Sequence, residues 1–204
     1  MVVEPVVTAG NQPEACLQKA FVAQLRSELT ARSVPFVLIE SFGLDVAVFA
    51  STNTNGQGRA VFFELKAFVG QRVGAVGFGN QKGCGSQVDL LFDPIRAVPR
   101  EPNVLRRLDR NIRWLLVDGT RPIGSKRYAV FTLEKALAYA MGGVHPGKQN
   151  NLRIKSIDRW YSWEDACRIC ANFVVSPTSV IPGRARAERG ARGRESRRRN
   201  SPCA

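Results

Sequence analysis

The chain has a single histidine, His145, and its five cysteines are odd in number and widely scattered. One histidine excludes a two-His metal site within the chain and leaves a Ser–His–Asp triad a single candidate base. An odd, scattered cysteine set does not make a disulfide scaffold, so a reduced, cytoplasmic protein is expected. No apolar run approaches the ~20 residues of a membrane helix, and no membrane partner is expected. Residues 1–10 have no basic region and carry Glu4, so no signal peptide is expected there. Acidic charge is scarce as well: 17 Asp+Glu stand against 30 Lys+Arg, for a formal charge of +13 over 204 residues. A field of that sign favours a polyanionic partner such as nucleic acid. What is present is enough hydrophobic residue, 44%, to build one compact core.

The charge is uneven. Residues 183–204 read GRARAERGARGRESRRRNSPCA, with eight Arg, two Glu and no Ile, Leu, Val or aromatic residue. Such a segment cannot bury surface to offset its ordering entropy, so a disordered basic tail is expected after a domain spanning 1–182. Its arginines, Arg184 and Arg186 among them, suit non-specific phosphate binding, or simply solubility.

Glu14 to Arg32 reads as an amphipathic helix with Leu17, Phe21, Leu25 and Leu29 as its apolar stripe. Pro13 suits its first turn, and Asn11 is a candidate cap. Three β-rich runs follow, at 35–41, 45–51 and 59–68, the last two separated by turn chemistry around Asn55-Gly56. A glycine-rich loop over 70–85, a short helix from Ser86 and a basic helix over 103–113 come next. Strands at 114–118 and 128–132 and helices at 133–141 and 162–172 complete the pattern, the last opening on a capping box at Ser162-Trp-Glu-Asp165. The fold class is α/β, with one mixed central sheet flanked by helices.

The third β run, Arg59-Ala-Val-Phe-Phe-Glu-Leu-Lys-Ala-Phe68, is apolar on both faces, yet Glu64 and Lys66 share one of them. An unpaired charge there costs several kcal/mol, at order of magnitude. Asp45 opens the neighbouring antiparallel strand and can approach Glu64. An Asp, a Glu and a Lys on one patch make a minimal hydrolytic site: hard carboxylate oxygens hold Mg²⁺ or Mn²⁺, and lysine assists at a phosphate. The bland alternative is a Glu64–Lys66 ion pair with no chemistry.

Asp45 followed by Glu64-Leu-Lys66 after a short hairpin resembles the PD-(D/E)xK nuclease superfamily, which includes restriction endonucleases and Holliday-junction resolvases. The resemblance covers roughly residues 14–95, and Leu44 stands where that family has Pro. It implies a restriction-endonuclease-like core and Mg²⁺-dependent DNA cleavage. Asp45, Glu64 and the Leu65 carbonyl would be metal ligands and Lys66 the catalytic lysine. It also implies a metal-side glutamate on the first helix, Glu28 or Glu14, and a glutamine after the Glu-x-Lys strand, Gln81 or Gln87. DNA is the expected partner, with a homodimer left open. The alternatives are a non-catalytic nucleic-acid-binding chain of the same fold and a basic scaffold protein.

Further phosphate contacts are expected from Lys82 in the glycine-rich loop, from Arg106, Arg107, Arg110 and Arg113 at helical spacing, and from Lys148. Gly142 to Lys148 fits GxxxxGK, but Gln149 follows instead of Ser or Thr, which excludes a P-loop. Cys167-Arg-Ile-Cys170 has neither a second CxxC nor a nearby histidine, so it reads as core rather than zinc site.

Overall fold

The computed structural model describes residues 4–7, 12–42, 44–51, 58–70, 75–77, 92–93, 98–140 and 151–176. Helix α1 (Pro13–Ala31) is followed by β1 (Phe36–Phe42), β2 (Leu44–Ser51) and β3 (Gly58–Phe68), then short strands β4 (Ala75–Gly77), β5 (Phe92–Asp93) and β6 (Val98–Pro99). Helix α2 (Pro102–Leu108), strands β7 (Ile112–Asp118) and β8 (Arg127–Phe131), helix α3 (Leu133–Tyr139), strand β9 (Asn151–Arg153), a 3-10 turn (Ile154–Ser156) and helix α4 (Trp163–Val175) complete the described elements.

The central sheet is five-stranded and mixed, in the order β1-β2-β3-β7-β8. The meander β1-β2-β3 is antiparallel, β3 and β7 run parallel, and β7-β8 is antiparallel again. The parallel join requires a crossover, which spans the residues between 68 and 112 and includes α2. An α/β fold with a mixed sheet flanked by helices is therefore what the sequence folds into.

Strand alternation splits the core in two. Val61, Phe63, Leu65 and Ala67 face α1 and α4, in a cluster with Leu17, Phe21, Leu25 and Leu29. Phe68, Trp114, Leu116 and Phe131 form the second cluster, with Leu133 and Ala136 of α3 and Leu105 of α2. Cys167 and Cys170 are free thiols buried in the first cluster, as core residues should be. Phe63 is fully buried and meets Phe21 edge-on at 5.1 Å and Phe173 at 6.3 Å, so one ring ties both helices to the sheet. Phe63→Ala should cost about 3–5 kcal/mol, read as a fall in the urea midpoint at unchanged slope.

Caps follow the sequence in part. Ser162 accepts from the Asp165 N–H at 3.1 Å at the start of α4, as its capping-box pattern requires. At α1 the cap position is taken by Gln12, in left-handed backbone with no side-chain bond, rather than by Asn11, which lies outside the described residues. The start of α3 receives Asp109, whose carboxylate accepts from Leu133 N–H at 2.5 Å and Glu134 N–H at 3.5 Å.

Two expected elements are corrected. The basic helix stops at Leu108 instead of running to Arg113, because Ile112 already pairs with Phe62 in the parallel ladder. Within the expected glycine-rich loop, residues 75–77 form β4 and pair with β9. The Asn55-Gly56 turn, the expected helix from Ser86 and the basic tail lie outside the described residues. No helix among the described residues is long and apolar enough to cross a membrane.

Candidate active site

Glu64 and Lys66 stand two apart on the β3 face that carries the second core cluster. Both are buried, and Lys66 Nζ lies 2.8 Å from Glu64 Oε1. Helix α1 brings Glu14 to the same ammonium, with Oε1 at 3.6 Å.

Asp45 reaches this group through the end of the β2-β3 ladder. The last regular pair is Val46 with Phe63, and the antiparallel register leads next to Asp45 and Glu64. Asp45 Oδ2 accepts the Leu65 N–H at 2.6 Å, which ties its carboxylate to the residue between Glu64 and Lys66. Its own backbone carbonyl accepts from Gln18 Nε2 at 2.9 Å. Gln18 lies one helical turn after Glu14, so a single face of α1 supplies both residues. Sequence reading passed over Gln18; its i+4 spacing from Glu14 was the available signal.

Burial dominates the electrostatics. It pushes the Glu64 carboxyl up to about 7; the nearby Asp45 and Glu14 charges push the same way, and Lys66 opposes them. Burial alone would lower the Lys66 ammonium, but Glu64, Glu14 and Asp45 outweigh it and hold the group above the ordinary lysine value. Lysine therefore stays charged at neutral pH, whereas Glu64 has proton affinity to spare. Such a site gains from a cation that replaces that proton.

The donor set fits a hard divalent ion. It offers the carboxylates of Asp45 and Glu64 and the Leu65 carbonyl. In an antiparallel strand the N–H and C=O of one residue face the same neighbour, so a Leu65 N–H turned to Asp45 turns the carbonyl to β2 as well. Among the described residues no group of three or more His, Cys, Asp or Glu is placed to hold a metal. Two carboxylates and a carbonyl suit an ion such as Mg²⁺ that keeps several waters and takes phosphate oxygens as further ligands.

Other expected site residues fall elsewhere. Glu28 is 14 residues further along α1 than Glu14, about 21 Å at 1.5 Å per residue. It pairs with Arg32 at 3.2 Å, and Arg32 also reaches Asn172, so Glu28 serves helix packing and not this cluster. Arg113 is not a surface cation. It is buried on β7, with its guanidinium 3.8 Å from the Phe173 ring centroid and bonded to the carbonyls of Asp109 and Ile112. Burial lowers it to about 10. Arg106, Arg107 and Arg110 are exposed, as a phosphate-binding face requires. Gln81, Gln87, Lys82, Lys148, Arg184 and Arg186 lie outside the described residues.

An acid, a second acid and a lysine thus meet at the end of one strand pair, next to a helix face that adds a carboxylate and an amide. Compared with family models, curated proteins and solved structures, the chain finds no match.

Proposed function

We propose that this chain is a Mg²⁺- or Mn²⁺-dependent DNA endonuclease of the PD-(D/E)xK type, with a restriction-endonuclease-like core. The observation that carries this reading is the bond from the Leu65 N–H to Asp45 Oδ2. It brings the first acid onto the strand segment that bears Glu64 and Lys66, as the motif requires. The order helix, three antiparallel strands and, after the short strands β4 to β6, helix and parallel strand supports it too.

Asp45, Glu64 and the Leu65 carbonyl would hold the ion. Bound there, Mg²⁺ would lower the pKa of a water and neutralise charge on the scissile phosphate. Lys66 supplies a fixed positive charge where negative charge develops on phosphorus-bound oxygens, worth more in a buried site than in water. Glu14 and Glu64 hold that ammonium in place. Gln18 fixes the backbone of Asp45. DNA affinity comes chiefly from the exposed arginines and the basic tail rather than from the acidic cluster.

The Glu64–Lys66 ion pair at 2.8 Å also supports a second reading, a non-catalytic nucleic-acid-binding chain in which this pair is structural. Nicking of supercoiled plasmid in Mg²⁺ and in EDTA separates the two. The nuclease reading expects metal-dependent nicking that is lost in Lys66→Ala. A folded parent chain that binds plasmid and leaves it intact in both Mg²⁺ and Mn²⁺ supports the second.

A further inference from the structure

The face of the sheet that carries Glu64 and Lys66 continues across β7 and β8. Lys66 pairs with Leu116, and Leu116 with Ala129. Two residues along, the same face carries Asp118 opposite Arg127. Asp118 is buried, and its Oδ2 meets Arg127 Nε at 2.8 Å and Arg121 Nε at 3.7 Å. Thr120 Oγ1 donates to the other oxygen at 2.6 Å. The Arg127 guanidinium lies over the Trp160 ring at 4.2 Å.

This is more than a hairpin clasp. One arginine on Asp118 closes the β7-β8 pair; the second, half exposed, adds little to that. Both guanidiniums approach Asp118 through Nε. Among the described residues, the terminal nitrogens of neither have a hydrogen-bond acceptor. Two cations against one carboxylate leave a net positive charge, and the ring and the carboxylate already fix Arg127 in one orientation. A planar fork held in place loses little freedom when it takes an oxyanion.

We propose that Arg121 and Arg127 form a phosphate-binding fork that grips the DNA backbone beside the Asp45–Glu64–Lys66 cluster. The inference rests on the nuclease reading for its substrate. Two strand spacings and two residues separate Lys66 from Arg127, about 12 Å between their Cα positions. That is close enough for both residues to contact one duplex. Trp160 acts as a brace, keeping the fork edge-on to the strand.

Binding of a labelled duplex to the full chain, measured in EDTA over a salt series, tests this without any cleavage. R121A and R127Q should each weaken binding about tenfold at low salt. Each should also flatten the log–log salt slope by ~0.9 for the phosphate contact it loses. R127Q removes a partner of Asp118, so R127K is the companion: it keeps the charge and the melting temperature but loses the fork, and should still bind more weakly. Arg168, paired with Glu164 and Asp165 on α4, is the control, and R168A should bind as the parent does. A folded R121A or R127K with the parent's affinity and slope overturns the fork, as does an equal loss in R168A or a parent chain that does not bind DNA. The hydrolytic site is judged apart, by Mg²⁺-dependent nicking and its loss in Lys66→Ala, so a fork that fails in a chain that binds DNA leaves that reading standing.

Discussion

Glu64→Gln is expected to lower Mg²⁺-dependent DNA cleavage by about 10³-fold or more and to leave metal-free DNA binding at least as tight as the parent's. An amide is a poor ligand for a hard cation, so the loss falls on the reaction. On the proposed reading, DNA affinity comes from arginines that the substitution leaves alone, and an acidic cluster repels phosphate until a cation neutralises it. Stability gives an independent reading. The folded-state value of Glu64, about 7, lies above its ordinary 4.5. A raised carboxyl contributes stability that is complete below 4.5 and is lost as pH rises through about 7. The amide that replaces it does not titrate, so thermal melts should show the variant gaining on the parent by on the order of 3 kcal/mol between pH 4.5 and 8. A pH-independent difference would mean that Glu64 is ordinary. A folded variant that nicks plasmid at the parent rate would remove Glu64 from the chemistry.

Lys66→Met is expected to abolish cleavage and also to destabilise the fold above pH 7, by up to ~1.4 kcal/mol for each pH unit above that value. The reason is the neighbour. With the ammonium gone, the carboxylate of Glu64 is 1% exposed and faces only the like charges of Asp45 and Glu14. Without Lys66 nothing holds the Glu64 carboxyl down, so it rises further above 7 and keeps its proton there; the penalty should vanish below pH 7 and grow as pH rises above it. The double variant Glu64→Gln, Lys66→Met removes both charges. It should recover most of the stability while staying inactive, because breaking a buried pair costs more than replacing it. Urea melts of the two singles and the double at pH 6 and 8 measure this. Equal instability of double and single at both pH values would show that Lys66 contributes packing, not charge compensation.

Much of this was legible in the chain because local patterns there had one interpretation. The alternation of Arg59 to Phe68 placed Glu64 and Lys66 on one face, and the faces found are those. The α1 stripe of Leu17, Phe21, Leu25 and Leu29 is buried as its spacing requires. Glu14 and Glu28 could not be separated that way. Both lie near the same stripe, and helical angle says nothing about which end of α1 reaches the sheet end where β2 and β3 part. That end is fixed by the packing of the whole helix, which selects Glu14. Arg113 failed for another reason. It continues the helical spacing of Arg106 and Arg110, but Ile112 already belongs to a strand whose parallel partner is some 50 residues earlier. The Phe173 ring that receives Arg113 comes from α4, far along the chain, and no local window contains it.

The proposed nuclease places one divalent ion between Asp45 and Glu64, against the backbone of Leu65. Its most direct test is paramagnetic broadening of backbone amide signals by substoichiometric Mn²⁺, at a pH above the Glu64 value of about 7. The amides of Leu65 and Lys66 should broaden first in the parent chain and stay sharp in Glu64→Gln. Broadening confined to exposed acids such as Glu164 and Asp165, with Leu65 untouched, would rule out a metal site at Asp45 and Glu64.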